Sequence, residues 1–295
     1  MNFCFIYNKN SANGRQSKYV NKIYKEIQKS FPIDFFETKS EEEAAIILRD
    51  FNKKKYNRLI LAGGDGTVSF AINQLIKQNN QFLETLSIGY VPTGTTNVLK
   101  VELNINNKIN KIVKTLTSNN IKRINPVKIN DDYFLLMSSF GWDAEIIDSI
   151  KPSTKKKLGK FIFLIKLIKN FIFMKNKKFI VTIDKSKYFT NWALCCNSIY
   201  YAGNYKIRNG SLFENKFTTV IFKDFSRLKF LHLLFIIICY KDISKAKYII
   251  FKETNNISIE KIHENIPSQI DGSFFGKHKK ITILSSDIYI NVISN

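Results

Sequence analysis

The chain has 295 residues, 44% hydrophobic and 14% aromatic, and its 46 Lys and Arg against 24 Asp and Glu give a net charge of +22. That length exceeds the size at which one hydrophobic core stops growing, so two domains are expected, and the composition excludes a disordered chain, a collagen-like repeat and a Pro/Gly linker array. The charge favours anionic partners such as phospholipid headgroups, nucleic acid or nucleotides, while the abundance of Lys, Asn and Ile equally fits a proteome-wide compositional habit, and both readings stay open.

Residues 1–7 lack the basic segment, long apolar run and small-residue cleavage site of a signal peptide and read as a first strand. Up to about residue 120 the pattern alternates. Apolar runs at 3–7, 33–36, 59–62 and 86–91 are separated by helical stretches, including one at 41–50 and one starting at Thr67. This βαβα order predicts a parallel sheet with helices on its faces. Beyond residue 121 the texture changes to closely spaced strand-like runs at 133–138, 179–183, 192–197, 217–222, 257–262 and 281–284, which predicts an antiparallel second domain. The expected fold class is therefore α/β: an N-terminal parallel α/β domain over 1–122 and a C-terminal, mostly antiparallel β domain over 123–285.

Two apolar stretches interrupt the second half. Residues 161–174 are broken by Lys166 and Lys169, and residues 231–240 are too short for a bilayer of about 30 Å, so no transmembrane helix is expected. On a helical wheel, residues 159–174 place Lys166, Lys169 and Asn170 on a narrow polar stripe. The wide apolar face carries Phe161, Leu164, Ile165, Leu167, Ile168, Phe171 and Ile172. Lys155, Lys156, Lys157 and Lys160 precede it and Lys175, Lys177 and Lys178 follow it. Such a helix suits an anionic bilayer surface, but a core helix covering the sheet of the second domain is the preferred reading, because a β domain needs some helix over its sheet.

Cys4, Cys195, Cys196 and Cys239 form no Cys-x-x-Cys pair, and His232, His263 and His278 are too scattered for a zinc site. A reduced, cytoplasmic chain without catalytic zinc is expected.

The strongest local feature is the run from Leu59 to Ala62 into Gly63-Gly64-Asp65-Gly66-Thr67, a strand leading through a glycine-rich turn into an amphipathic helix with Val68, Ala71, Ile72 and Leu75. In an open α/β sheet such a turn lies at the carboxyl ends of the strands, where ligands bind. The glycines are expected to allow positive φ and to let backbone N–H groups approach phosphate oxygens at the helix N-terminus. Thr67 is expected to cap that helix. Asp65, among glycines with no core to pack against, is placed to bind a metal-bound water or to accept a proton from an attacking hydroxyl. One βα unit later, Pro92-Thr93-Gly94-Thr95-Thr96-Asn97 repeats the logic ahead of a short helix at 98–101. Its hydroxyls suit phosphate contacts, or serve as ordinary N-caps.

These two loops together resemble the bacterial soluble diacylglycerol kinase family of lipid kinases, related to sphingosine and ceramide kinases. Residues Asn8 to Gly14 sit where that family has an Asn-Pro-x-Ser-Gly-like loop, with Lys9 in place of the proline, and Thr38 occupies the place of a threonine near the nucleotide. Phe140-Gly141-Trp142-Asp143-Ala144, Asn197 with Tyr201-Ala202-Gly203, and Gln269-Ile270-Asp271-Gly272 match further family segments. The resemblance implies ATP bound in a cleft between two domains, Mg²⁺, and transfer of the γ-phosphoryl group to the hydroxyl of diacylglycerol or a related lipid alcohol. It also implies that 286–295 completes the first domain.

Asn8, Thr38, Gly63, Gly64, Gly66, Thr67 and Thr95 would then line the nucleotide and its phosphates. Asp65 and Asp271 would be the catalytic carboxylates, with Asp271 the leading base, and Ser273 stands where many members carry a second carboxylate. A family metal site in the second domain maps to Glu214 with the backbone carbonyls of Ser211 and Lys216, a stretch that also fits an ordinary surface turn. Phe70 replaces a frequent glutamate. The partners so implied are a lipid alcohol and the anionic inner membrane surface, visited peripherally, with a homodimer left open and no nucleic acid. An NAD kinase-like phosphotransferase and a catalytically weakened lipid- or nucleotide-binding protein are the alternatives.

Overall fold

The computed structural model describes residues 1–51, 56–78, 81–149, 177–201, 203, 205–240, 242–261 and 264–295. The chain divides into two compact units, Met1–Asn125 with Asp287–Asn295, and Pro126–Ser286. The expected basic-flanked helix at 159–174, with Lys155, Lys156, Lys157, Lys160 and Lys175, lies outside the described residues, as do Ala202 and His263.

In the first unit the strands β1 (Phe3–Asn8), β2 (Ile33–Thr38), β3 (Arg58–Gly63), β4 (Ser87–Pro92) and β5 (Ile121–Ile124) join the C-terminal segment Ile290–Ile293 in one sheet. Its order is β2, β1, β3, β4, Ile290–Ile293, β5, and every neighbouring pair is parallel except the last. β3 and β4 are buried at every residue, as expected of central parallel strands covered on both faces.

The described helices of this unit are α1 (Ser17–Gln28), α2 (Glu41–Arg49), α3 (Asp65–Lys77), α4 (Val98–Glu102) and α5 (Ile109–Leu116). α1 is polar overall and buries only Val20, Ile23 and Ile27, a helical stripe. α2 starts on a Ser40 cap, whose hydroxyl accepts the Glu43 N–H, and has three glutamates in its first turn, where the helix dipole favours them. Buried Arg58, at the start of β3, donates to the carbonyls of Leu116 at 2.9 Å and Ser118 at 2.6 Å, satisfying the end of α5. The register pairs Asn8 with Thr38 and Gly63 with Pro92, so the carboxyl ends of four adjacent strands carry both glycine-containing loops along one edge.

The second unit contains β6 (Val127–Ile129), β7 (Asp132–Phe134), β8 (Met137–Gly141), β9 (Phe179–Ile183), β10 (Ser186–Cys196), β11 (Tyr200–Tyr201) and β12 (Tyr205–Lys206). It continues through β13 (Phe217–Lys223), β14 (Ile249–Thr254), β15 (Asn256–Glu260), β16 (Ile266–Ile270), β17 (Ser273–His278) and β18 (Lys280–Leu284). All but β11 and β12 form one antiparallel sheet. β9 and β15 alternate buried and more exposed residues, and the buried set, including Phe134, Phe140, Val181, Ile259 and Ile281, forms one core.

Two described helices belong to this unit, α6 (Trp142–Asp148) and α7 (Arg227–Tyr240). Trp192 stacks on Phe222 with ring centroids 3.7 Å apart, and Trp142 meets Trp192 edge-on at 5.3 Å and Phe230 of α7 at 5.0 Å. This aromatic cluster fixes both helices to the sheet.

Candidate functional site

In the first unit the two loops pack directly on each other. The N–H groups of Thr93 and Gly94 donate to the Gly63 carbonyl at 2.9 and 3.1 Å. A Cβ on Gly94 would stand 2.5 Å from the Gly64 α-carbon, and one on Gly63 would collide with the Thr67 side chain. Here the sequence expectation is corrected. Gly64 has φ −90, Gly63 ends a strand and Gly66 lies in the first turn of α3, so these glycines serve close approach of backbone to backbone rather than positive φ. The left-handed residue in these two loops is Asn97, at φ 52.

Thr67 does not cap α3 either. The cap is Gly64, which has no side chain to offer, and Thr67 sits within the helix, its hydroxyl accepting from Asn8 Nδ2 at 3.1 Å. The N-terminal turn of α3 therefore has no side-chain cap and points its partial positive charge at the loop edge. Ser11 and Thr93 share a hydroxyl hydrogen bond, which brings the first loop to the same edge. Thr38 is buried with its hydroxyl on the Tyr7 carbonyl, one strand over from Asn8, and Thr95 is exposed. Lys9, in the proline position, pairs with Glu37 at 2.8 Å.

Asp65 does have something to pack against. Its Oδ2 accepts the Val98 N–H at 2.8 Å and its Oδ1 the Leu99 N–H at 3.1 Å, so it caps α4 from the neighbouring loop. The Tyr90 hydroxyl bridges Asp65 and Asn97, at 3.5 and 2.9 Å. Burial and the neighbouring Asp65 charge push the Tyr90 phenol well above its ordinary pKa, so it acts as a neutral donor.

In the second unit Asp271 and Gly272 form the two-residue turn between β16 and β17, with φ 46 and 82, the left-handed pair that an Asp-Gly hairpin requires. The Asp271 carboxylate accepts three backbone N–H groups, from Leu135, Leu136 and Met137, each at 2.9 Å. A carboxylate so engaged is a clamp, and taking up a proton would break bonds it already makes; this geometry argues against the expected role as leading base. Ser273 is exposed at the start of β17.

Asn197 grips the same segment from the other side. Its side chain donates to the Leu135 carbonyl at 2.8 Å and its N–H to the Leu136 carbonyl at 2.9 Å. The Gln-x-Asp-Gly and Asn motifs thus converge on residues 135–137.

The expected metal site does not fit. Buried Arg208 donates to the Ser211 carbonyl at 2.7 Å, to the Asn197 carbonyl at 2.6 Å and to the Asn209 carbonyl at 3.1 Å, with Glu214 Oε2 3.9 Å away. The guanidinium supplies the cation that Ser211 and Glu214 were expected to give to a metal. Lys216 is exposed, and no cluster of three or more His, Cys, Asp or Glu side chains suited to a metal occurs among the described residues.

One residue went unassigned in the sequence reading. Asp143, in the first turn of α6, is buried, and desolvation pushes its carboxyl up to about 7 although Ser139, Tyr201, the Ala144 N–H and Trp192 draw it partly back. Tyr201 donates to Oδ2 at 3.3 Å, while the indole N–H of Trp142 has no hydrogen-bond partner among the described residues. The signal available in sequence was the Phe140-Gly141-Trp142-Asp143-Ala144 segment, an acid set directly after an apolar run. A carboxyl of this kind exchanges protons near neutral pH.

The fold is that of a parallel α/β domain joined to a β-rich antiparallel unit. Residues 2–129 match the family model of the diacylglycerol kinase catalytic domain. A diacylglycerol kinase of Staphylococcus carnosus is 23% identical over 92% of this chain and 88% of its own length. One of Staphylococcus haemolyticus is 24% identical over 82% of this chain and 72% of its own. Other curated relatives, from Staphylococcus carnosus and Streptococcus pneumoniae, are 26% identical, and the chain spans about half of them, 49% and 55%. The crystal structure of a diacylglycerol kinase from Bacillus anthracis shares the fold with a TM-score of 0.74 at 21% identity, covering 100% of this chain and 97% of that one.

Proposed function

We propose that the protein transfers the γ-phosphoryl group of ATP to the hydroxyl of diacylglycerol or a related lipid alcohol. The observation that carries this reading is the match of residues 2–129 to the diacylglycerol kinase catalytic domain, a stretch that holds two glycine-containing loops packed on each other beside a helix N-terminus without a side-chain cap. ATP when bound supplies the transferable phosphoryl group, and a divalent cation, held chiefly by the phosphates themselves, supplies charge neutralisation. The first turn of α3, the hydroxyl of Thr67 and the exposed hydroxyl of Thr95 would hold phosphate oxygens. Asn8 and Thr38, at the ends of β1 and β2, would shape the nucleotide side. Asp65 keeps the second loop in register with the first.

Phosphoryl transfer depends mostly on positioning and electrostatics, so the loss of carboxylates at Phe70 and Ser273 slows the reaction without removing its basis. In the second unit Asp143, with its carboxyl near 7, is better poised to take up a proton than Asp271. The engagement of Asp271 by three N–H groups also favours a second reading, a slow or non-catalytic lipid- or nucleotide-binding protein of the same fold. Incubation with labelled ATP and a panel of lipid alcohols in mixed micelles tests both. Labelled phospholipid product establishes the kinase, whereas ATP binding without product on any lipid establishes the second reading. Product from NAD in the absence of lipid would overturn the lipid assignment.

A further inference from the structure

From Leu233 to Tyr240 α7 is apolar on every side, and such a helix is ordinarily enclosed. Here it buries only Phe230, Leu233 and Ile236. On the opposite side Leu228, Leu231, Phe235 and Ile238 are 80%, 50%, 57% and 75% exposed. Their spacing of three, four and three residues puts all four on one continuous stripe. Single exposed hydrophobics are ordinary, but an unbroken stripe of large ones marks a contact surface.

The rim of the stripe is basic. Lys223, Arg227, Lys245 and Lys247 are exposed, and Lys229 reaches back to the Lys223 carbonyl at 2.7 Å and over the Tyr248 ring at 5.4 Å, tying these residues to the first turns of the helix. Of the acids in this stretch, Asp224 is paired with Lys178 at 2.6 Å and Asp242 accepts the Ser244 N–H at 2.9 Å.

We infer that α7 is a docking surface for an anionic lipid bilayer, with Leu228, Leu231, Phe235 and Ile238 entering the acyl boundary and the surrounding Lys and Arg meeting lipid phosphates. Fourteen residues make a helix about 21 Å long, short of the roughly 30 Å of a hydrocarbon core, so it lies in the interface and does not span it. Charge selects the occupant. A second copy would bring together two chains each carrying +22, whereas an anionic surface complements the rim. The inference rests on the lipid kinase reading for its purpose, access to an acceptor held in a bilayer, but binding is measurable without turnover.

The protein carries its own probe. Cys239 is exposed beside Ile238, while Cys4, Cys195 and Cys196 are buried, so a polarity-sensitive maleimide dye labels the end of α7 in the intact chain. Phosphatidylcholine vesicles containing phosphatidylglycerol should shift the dye emission to the blue and sediment the protein, with both effects weakened by salt, and pure phosphatidylcholine vesicles should do neither. Phe235→Ser with Ile238→Ser should lower affinity for the anionic vesicles at least about tenfold, because two apolar side chains no longer leave water. Sedimentation velocity of the same samples should show no change in oligomeric state.

Absence of the emission shift in the labelled parent overturns the proposal, as does unchanged vesicle affinity in the folded double variant. A dimer that the substitutions break, with vesicle affinity intact, assigns the stripe to self-association and also overturns it. Turnover on a water-dispersed short-chain diacylglycerol separates the two readings. Vesicle binding through α7 without turnover supports the docking surface and sinks the kinase; turnover without vesicle binding does the reverse.

Discussion

The carboxylate of Asp65 accepts the backbone N–H of Val98 at 2.8 Å, joining the glycine-rich turn after β3 to the helix that follows β4. Asn97, the residue that would ordinarily cap α4, is left-handed and spends its amide on the Gly94 carbonyl at 2.8 Å, so the cap comes from the next loop. The acid at the heart of the motif therefore has a structural task that any chemical role must share.

That dual role separates two substitutions. Asp65→Ala removes the cap and should cost about 1–2 kcal/mol, read as a lowered melting temperature. Asp65→Asn keeps one carbonyl acceptor and should recover much of that stability, yet it lacks the charge and should still lose lipid kinase turnover by about 10²-fold or more. Asparagine restoring both stability and turnover would reduce Asp65 to a cap.

Gly94→Ala should be worse than its one added methyl suggests. The new Cβ would meet the Gly64 α-carbon at 2.5 Å, and since that neighbour is backbone the two loops must separate. We expect a loss of about 1–3 kcal/mol and at least tenfold weaker ATP binding by calorimetry. At Gly272 a Cβ would meet nothing within 4 Å, so Gly272→Ala strains only its left-handed turn and should leave ATP binding unchanged.

Much of this architecture is legible in the chain. The alternation of apolar runs with polar helical stretches gives β1 to β4 and their helices, because a parallel sheet covered on both faces needs continuous apolar strands such as 59–62. The change to short, dense strands after residue 121 gives the antiparallel unit. What pattern reading missed depends on contacts between distant residues. Asp65 reads as an exposed acid until α4 is brought beside it, Asp271 as a free base until residues 135–137 arrive with three N–H groups, and the Ser211 to Lys216 turn as a metal loop until Arg208 fills it. The glycines of the first turn were legible as special, but close packing and positive φ leave the same residue type in sequence.

Arg208 leads to a measurement with metal. If its guanidinium serves the loop, chelation should leave the melting temperature of the parent unchanged in the absence of nucleotide. Arg208→Ala should cost about 2–4 kcal/mol by leaving buried carbonyls without a donor. Arg208→Lys should recover only part, since a point ammonium cannot fork to the four carbonyls of Asn197, Ser198, Asn209 and Ser211. A fall in the melting temperature of the parent on adding EDTA would restore a metal to this loop.

The hairpin at Asp271 offers a cleaner test than most carboxylates. Asn-Gly suits the same turn, so Asp271→Asn preserves backbone geometry and isolates the three charge-assisted bonds, worth about 1–3 kcal/mol in total stability. Asp271→Asn that melts earlier but turns over within a few-fold of the parent would confirm a clamp and exclude a base. Ser273→Glu, at an exposed position, should leave stability unchanged, and faster turnover in micelles would show that a carboxylate there assists the reaction.

Asp143 sets a pH dependence whose sign follows from its burial. Its carboxyl sits near 7 when folded, against an ordinary value of 3.8, so between about pH 4 and 7 the folded protein holds a proton that the unfolded chain has released. Stability contributed by this group is therefore fully present below the unfolded value and lost as pH rises through the folded one, by a few kcal/mol in all, at up to about 1.4 kcal/mol per pH unit. Asp143→Asn keeps the size and the hydrogen bond from Tyr201 but cannot ionise. Its melting temperature should come closest to the parent's near pH 4, exceed it increasingly up to pH 7–8, and vary less over that range. A parent whose stability varies between pH 5 and 8 no more than the variant's would show that Asp143 is already ionised in the folded protein, held by a counter-charge instead of neutralised by burial.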